Sequence, residues 1–241
     1  MIILGLSGKA RTGKSTLCKE LYDAAERVGW DVQIKPFAGP LKKHVANTLG
    51  YTKDNNPEMY RQYCQKIGAQ ERQRDPDHWV KLWYQDMIKE FQQEMSSSKR
   101  PVLYLVDDVR YPNELKALNQ SNINATILFV KHGNRTIEDP NGQWRQHESE
   151  RLANTYETSS NEYLKNEIGY HFVVHNDKTE QDIKQWANNF INYLASWDPC
   201  LCETCVANYE MREPNTEKID EELKEFLDDL LGDDDEENGD A

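Results

Sequence analysis

Residues 8–15 read Gly8-Lys9-Ala10-Arg11-Thr12-Gly13-Lys14-Ser15, directly after the apolar run Ile2-Ile3-Leu4-Gly5-Leu6. The pattern is G-x-x-x-x-G-K-[ST], and it falls where a strand should hand over to a helix. Two glycines let the backbone curl so that successive N–H groups face inward as an anion cradle. Lys14 can reach the distal phosphates of a bound polyphosphate, and Ser15 can offer its hydroxyl to a divalent cation. Gly8, Arg11, Thr12, Gly13 and Thr16 complete the candidate cradle. The helix that follows aims its positive dipole end at the same phosphates. Leu17, Leu21, Ala24, Ala25 and Val28 recur at three- and four-residue steps, as that helix requires. A glycine-rich turn arising by chance would lack this strand before and helix after.

The rest of the chain reads as alternating strands and helices. Ile2–Ser7, Asp31–Phe37, Val102–Asp107, Ala125–Lys131 and Tyr170–His175 have the composition of strands. Helices are expected over Lys14–Gly29, Leu41–Leu49, Asn113–Asn119 and Thr179 to about Trp197. From Pro57 to about Met95 the chain reads as two helical pieces separated near Arg74-Asp75-Pro76-Asp77, with Asp77 a candidate cap. Residues Gly133–Glu150 are polar, with Gly and Pro, and read as a loop or lid. Five strands separated by helices imply an α/β fold: a mostly parallel five-stranded sheet with helices on both faces. Ligands are then expected at the carboxyl ends of the strands. The expected division is a domain over residues 1–197, with a helical acceptor-binding insertion near 38–98 and a lid near 132–160, then a tail over 198–241.

Charge separates the same two regions. The formal net charge is −13, but residues 213–241 hold 14 Asp or Glu against two Lys. The remainder is close to neutral, which argues against a surface for duplex nucleic acid. No stretch approaches the ~18 apolar residues of a membrane span, and no secretory leader is evident. Five scattered cysteines argue against a disulfide framework and for a reducing, cytoplasmic setting. Cys200, Cys202 and Cys205 lie close together, but a zinc site needs about four ligands. Ile219, Leu223, Phe226, Leu227, Leu230 and Leu231 outline a short amphipathic helix before a solvated acidic run. That tail is either a tethered solvated segment or a surface for an unidentified protein partner. A homodimer is compatible with the sequence.

Beyond the loop, Val102–Arg110 ends in Asp107-Asp108-Val109-Arg110. An acid at the end of an apolar strand suits a Mg²⁺ site, though a turn or helix-capping aspartate has the same signature. Adjacent strand residues face opposite sides, so either aspartate qualifies. Arg110 suits a phosphate, or a surface ion pair with Glu114. Lys42, Arg61, Arg72 and Arg74 cluster between the second and third strands, and Arg135, Arg145 and Arg151 flank the polar loop. Cations on a closing loop would neutralise charge on a transferring phosphoryl group. His147 is a candidate for ordering that loop, Asn176 for an adenine contact or a plain chain turn. Phe37 and Trp79 suit either a base sandwich or the core.

Five segments resemble the phage-type deoxynucleoside monophosphate kinases of the P-loop nucleoside monophosphate kinase group. They are Gly8–Thr16; Phe37-Ala38-Gly39-Pro40-Leu41-Lys42; Gln65-Lys66-Ile67-Gly68-Ala69-Gln70 running to Arg74 and Trp79; Asp108-Val109-Arg110-Tyr111-Pro112-Asn113-Glu114; and His147-Glu148-Ser149-Glu150 with the later Asn176-Asp177. The likeness spans about residues 1–196, and the segment from Asp108 is the most specific. It implies a three-layer P-loop kinase fold and transfer of the ATP γ-phosphoryl to a deoxynucleoside 5′-monophosphate, with Mg²⁺. Such an enzyme supplies DNA precursors, in the host cytoplasm if phage-encoded. By the resemblance Lys42, Arg74, Trp79 and Arg110 fall in the acceptor region, and Asp108 is the acid of its strand motif. Phe37, Arg61, Gln65, Arg72 and His147 extend the candidate acceptor set. The chain departs from the family at Gly68-Ala69-Gln70, where members often carry Gly-Thr-Glu, and at Gly39, where an acid is common. Two other readings are a dephospho-coenzyme A kinase or similar small-molecule kinase, and a nucleotide-binding interaction module with little turnover.

Overall fold

A computed structural model describes residues 2–95, 100–119, 125–131, 153, 156–177 and 179–197. Residues Met1–Asn192 form one compact unit, and Tyr193–Ala241 a second, of which 193–197 are described. The strands are β1 Ile2–Ser7, β2 Asp31–Ile34, β3 Val102–Val109, β4 Ala125–Lys131 and β5 Phe172–His175. They form one sheet in the order β2-β3-β1-β4-β5, with every pairing parallel. The helices are α1 Lys14–Arg27, α2 Gly39–Leu49, α3 Pro57–Arg74, α4 His78–Met95, α5 Pro112–Leu118, α6 Asn161–Tyr163 and α7 Glu180–Trp197, with a π-helical turn at Leu164–Ile168. This is the three-layer α/β architecture that the alternation of elements predicts.

Apolar pattern accounts for the layers. β1 is buried from Ile3 to Ser7, and Leu103–Val106 and Ile127–Lys131 are buried beside it, as expected of central strands covered on both faces. α1 lays Leu17, Leu21, Ala24 and Ala25 inward, whereas Val28, at the end of that stripe, is exposed. The helix stops at Arg27 and the chain turns through Gly29 at φ +85°. Between β2 and β3, helices α2 to α4 form an insertion with its own small core. Leu41, Val45 and Trp79 are buried there, with Tyr51, Tyr60, Tyr63 and Ile67 packed around them. Asn56 caps α3 by accepting from Met59 N at 3.2 Å, with Pro57 in the first turn.

Several boundaries differ from expectation for local reasons. β2 ends at Ile34 instead of Phe37. Lys35 N still donates to Leu105 O at 2.8 Å, but Pro36 has no N–H to continue the ladder. β3 runs two residues further than expected, to Val109. Its register against β1 shifts: Gly5 faces Val106 but Ser7 faces Val109. One extra β3 residue is accommodated at Asp107-Asp108, a bulge at the carboxyl edge. Asp77 does not cap with the bond expected of it; its carboxylate accepts from Asn113 Nδ2 at 2.8 Å. β5 begins at Phe172, and Tyr170 instead reaches under the loop after β1, its hydroxyl 2.9 Å from Ser7 Oγ. Within the expected lid, Ala153 and Tyr156 are buried, Tyr156 against Phe129 and Tyr170. Residues 132–152 of that lid lie outside the described residues, as does the tail from 198.

Candidate active site

β1 lies at the centre of the sheet, where strand order reverses, so the loop leaving it opens into the crevice at the carboxyl edge. That loop is shaped by residues only this sequence pattern supplies. Gly8 sits at φ +136°, and a Cβ there would lie 2.4 Å from Val130 O. Gly13 sits at φ +92°, and its Cβ would lie 2.1 Å from Asn176 Nδ2. Arg11, at φ +64°, is the single non-glycine residue with positive φ among the described residues. Left-handed backbone in such a residue costs about 1–2 kcal/mol and is characteristic of ligand loops.

The loop is also cross-braced. Lys14 Nζ donates to Gly8 O and Lys9 O, both at 2.6 Å. Thr12 is fully buried and its hydroxyl donates to Lys9 O at 2.9 Å, so its part is inside the loop. Asn176 Nδ2 donates to Thr12 O at 2.8 Å, while Asn176 N donates to Lys131 O at 2.8 Å. Of the two sequence readings of Asn176, the structure shows a third use: it ties the end of β5 to the loop after β1. α1 begins at Lys14 with no acidic residue in its first turn, which leaves the positive helix end free to attract an anion.

Facing the loop is a cleft of about 590 Å³. One wall is Ala10, Arg11, Gly13, Lys14, Ser15 and Thr16; the other holds Ala38, Lys42, Arg72, Asp107, Asp108, Arg110, Tyr111 and Glu114. The volume suits a small ligand. Arg72 places its guanidinium 4.2 Å from the centre of the Tyr111 ring, a cation–π contact. Asp108 accepts from Phe37 N at 2.7 Å and Ala38 N at 3.1 Å. Glu114 is buried and accepts from Arg110 N at 2.7 Å and Tyr111 N at 3.0 Å. The bond to Arg110 thus runs through its backbone N–H, not the surface ion pair that spacing suggested.

Burial pushes the Asp108 carboxyl up; Asp107 adds to the rise, while Lys42, Arg110 and the Ala38 amide oppose it. Burial, then the Asp108 charge, pushes Glu114 up to about 8 against its two amide bonds and Arg72. On α1, Cys18 is pushed up to about 12, by burial first and by the Asp107 charge second. Its thiol is therefore held protonated.

Other sequence-selected residues lie elsewhere. Phe37 and Trp79 are core residues: Phe37 packs on Trp83 at 4.4 Å, and Trp79 Nε1 donates to Gly68 O at 3.3 Å. Arg61 and Gln65 are exposed on α3 and do not line the cleft. Arg74 is exposed and paired with Glu71 at 3.2 Å. Arg135, Arg145, His147 and Arg151 lie outside the described residues, as do Cys200, Cys202 and Cys205. Ala10, Ala38, Tyr111 and Glu114 line the cleft without having been selected from the sequence as site residues, and of these only the last two bring polar side chains. The x-x-Glu spacing after Tyr111 resembles a capping box, but without the Ser or Thr that usually announces one.

Ser15 is exposed on the first turn of α1, and both aspartates line the same cleft. Hydroxyl and carboxylate oxygens are the hard donors that Mg²⁺ prefers. No group of three or more His, Cys, Asp or Glu is gathered as a metal cage among the described residues.

No protein-family model and no curated protein matches the sequence. Solved structures similar to it include shikimate kinase from Acinetobacter baumannii in complex with shikimate, at 14% identity and TM-score 0.38, covering 83% of this chain and 95% of that one. Dephospho-CoA kinase from Campylobacter jejuni is similar at 12% identity and TM-score 0.41, covering 81% and 98%. A gluconokinase from Sinorhizobium meliloti 1021 is similar at 17% identity and TM-score 0.36, covering 81% and 92%. At such low identity and TM-score these likenesses carry no functional assignment, which is drawn below from the site itself.

Proposed function

We propose that the protein is an ATP-dependent phosphotransferase whose acceptor is a deoxynucleoside 5′-monophosphate. The observation that carries this reading is that two sets of cationic groups line one cleft. The loop amides, Lys14 and Arg11 form one; Lys42, Arg72 and Arg110 form the other. A single anion needs only the first. Two phosphorylated substrates meeting end to end need both. The resemblance of the segment from Asp108 to Glu114, together with the loop, adds the deoxynucleotide.

The carboxylates favour a charged acceptor over a hydroxyl. A hydroxyl nucleophile calls for a base to take its proton. On the acceptor wall, Asp108 and Glu114 are each engaged by two backbone N–H groups. A phosphate acceptor is already ionised near neutral pH and needs no such base. Catalysis then reduces to alignment and charge neutralisation. The loop amides and Lys14 hold the donor's β- and γ-phosphates; Arg110, Lys42 and Arg72 hold the acceptor phosphate in line. Mg²⁺, held by Ser15 and one of the aspartates, supplies charge compensation across the donor phosphates. Arg135, Arg145 and Arg151 are proposed to complete the charge shell, with His147 ordering the loop that carries them.

The test is a coupled assay of ADP release over all common ribo- and deoxyribonucleoside monophosphates. Release dependent on a deoxynucleoside monophosphate is expected. Release with a hydroxyl acceptor such as shikimate, gluconate or dephospho-coenzyme A instead would replace the acceptor assignment.

A further inference from the structure

We propose that the adjacent acids at the end of β3 divide the work: Asp107 faces the metal, and Asp108 is a positioning residue that locks the β2–α2 turn against the acceptor side. This rests on the phosphotransfer reading above. Two observations separate the two carboxyls. First, the register shift between β1 and β3 falls on this pair, and a bulge re-aims side chains that simple alternation would fix. Second, Asp108 is occupied. It accepts from Phe37 N and Ala38 N, two amides that left the sheet when Pro36 ended β2. Those amides begin the turn into α2, which carries Lys42 into the cleft. Asp107 lines the same cleft as Ser15 and takes neither of those amide bonds, so with Asp108 engaged its carboxylate is the one left to the cation.

A second brace supports the turn's partner element. Asn113 Nδ2 donates to Pro76 O and Asp77 Oδ1, both at 2.8 Å, fastening the α3–α4 corner to the start of α5. The segment from Asp108 to Glu114 is thus a hub. Asp108 holds one edge of the insertion, Asn113 another, and Arg110 is left between them.

The test compares Asp107→Asn with Asp108→Asn in the full chain. Mn²⁺ binding with a non-hydrolysable ATP analogue is followed by electron paramagnetic resonance. Asp107→Asn is expected to weaken Mn²⁺ binding by about tenfold or more, and Asp108→Asn to leave it within about twofold. Hydrogen exchange over residues 35–40 is expected to accelerate in Asp108→Asn alone, since only it loses an acceptor for those amides. With an accepted monophosphate, Asp108→Asn raises the acceptor KM and leaves the ATP KM unchanged. Intact Mn²⁺ binding in Asp107→Asn overturns the division, and decides the matter even if Asp108→Asn fails to fold. Equal loss of Mn²⁺ in both variants also overturns it. Wild-type protein that binds no Mn²⁺–nucleotide refutes the phosphotransfer reading, and the exchange experiment still judges Asp108.

Discussion

In the proposed function, Lys14 concentrates the donor chemistry in one side chain. Its ammonium rests on Gly8 O and Lys9 O, so it is already held at the mouth of the cradle. Lys14→Ala removes the charge that would follow the transferring group. Turnover in the ADP-release assay is expected to fall by about 10²–10⁴-fold, the scale of losing a transition-state charge contact. Asn176 acts one step further away. Asn176→Ala removes the bond to Thr12 O, worth about 1 kcal/mol. The expected result is an ATP KM raised several-fold with the acceptor KM unchanged, and a larger rise in Asn176→Asp, which cannot donate and adds negative charge beside the phosphates. Glu114 gives a pH signature. Its carboxyl is pushed up to about 8 by burial and by Asp108, with Arg72 opposing, while an unfolded glutamate titrates near ~4.3. The native state therefore keeps the extra proton between those values, and this residue's contribution to stability declines as pH rises from ~5 to ~8. Glu114→Gln retains an oxygen for the Arg110 and Tyr111 amides and loses the titration. Denaturant unfolding should show its stability relative to wild type improving with pH across that window, by up to a few kcal/mol.

The loop from Gly8 to Gly13 is the element with least freedom. Gly8→Ala places a methyl group against the backbone of β4 at a φ that L residues rarely adopt. Loss of fluorescent-nucleotide binding is expected, with destabilisation of about 1–3 kcal/mol in chemical denaturation. This element was the most legible in the sequence, because glycine spacing, strand and helix all pointed to one geometry. Ala125–Lys131 was equally plain, an apolar run with no competing pattern. β2 was drawn too long because Phe37 continues the apolar alternation, while Pro36 and the Asp108 carboxylate decide where the chain leaves the sheet. β3 was drawn too short because a bulge leaves no mark in composition. Aromatic residues were the hardest. Phe37 and Trp79 sit in motif-like segments, yet residue type alone does not separate a base sandwich from a core, and the structure places both in the core. The burial of Tyr156 and Leu164 was hidden behind a polar stretch whose composition resembles a loop.

At the scale of the molecule, every described residue lining the cleft lies within Met1–Asn192, and the segments that follow β1 and β3 open onto it. The acidic tail supplies most of the net charge of −13. A chain ending at Trp197 is expected to keep kcat and both KM values within about twofold, because the described residues of the cleft all precede it. Altered assembly on truncation, measured by light scattering, would instead give the tail an interaction role. No helix among the described residues is long and apolar enough to cross a membrane. The central claim is that one cleft aligns a nucleoside triphosphate with a second substrate that already carries a phosphate. The most direct measurement is ADP release from ATP and Mg²⁺ with each deoxynucleoside monophosphate, beside hydroxyl acceptors. The account predicts rapid release, with a nucleoside diphosphate as product, for at least one deoxynucleoside monophosphate and none for the hydroxyl compounds. ATP left intact with every monophosphate would contradict it.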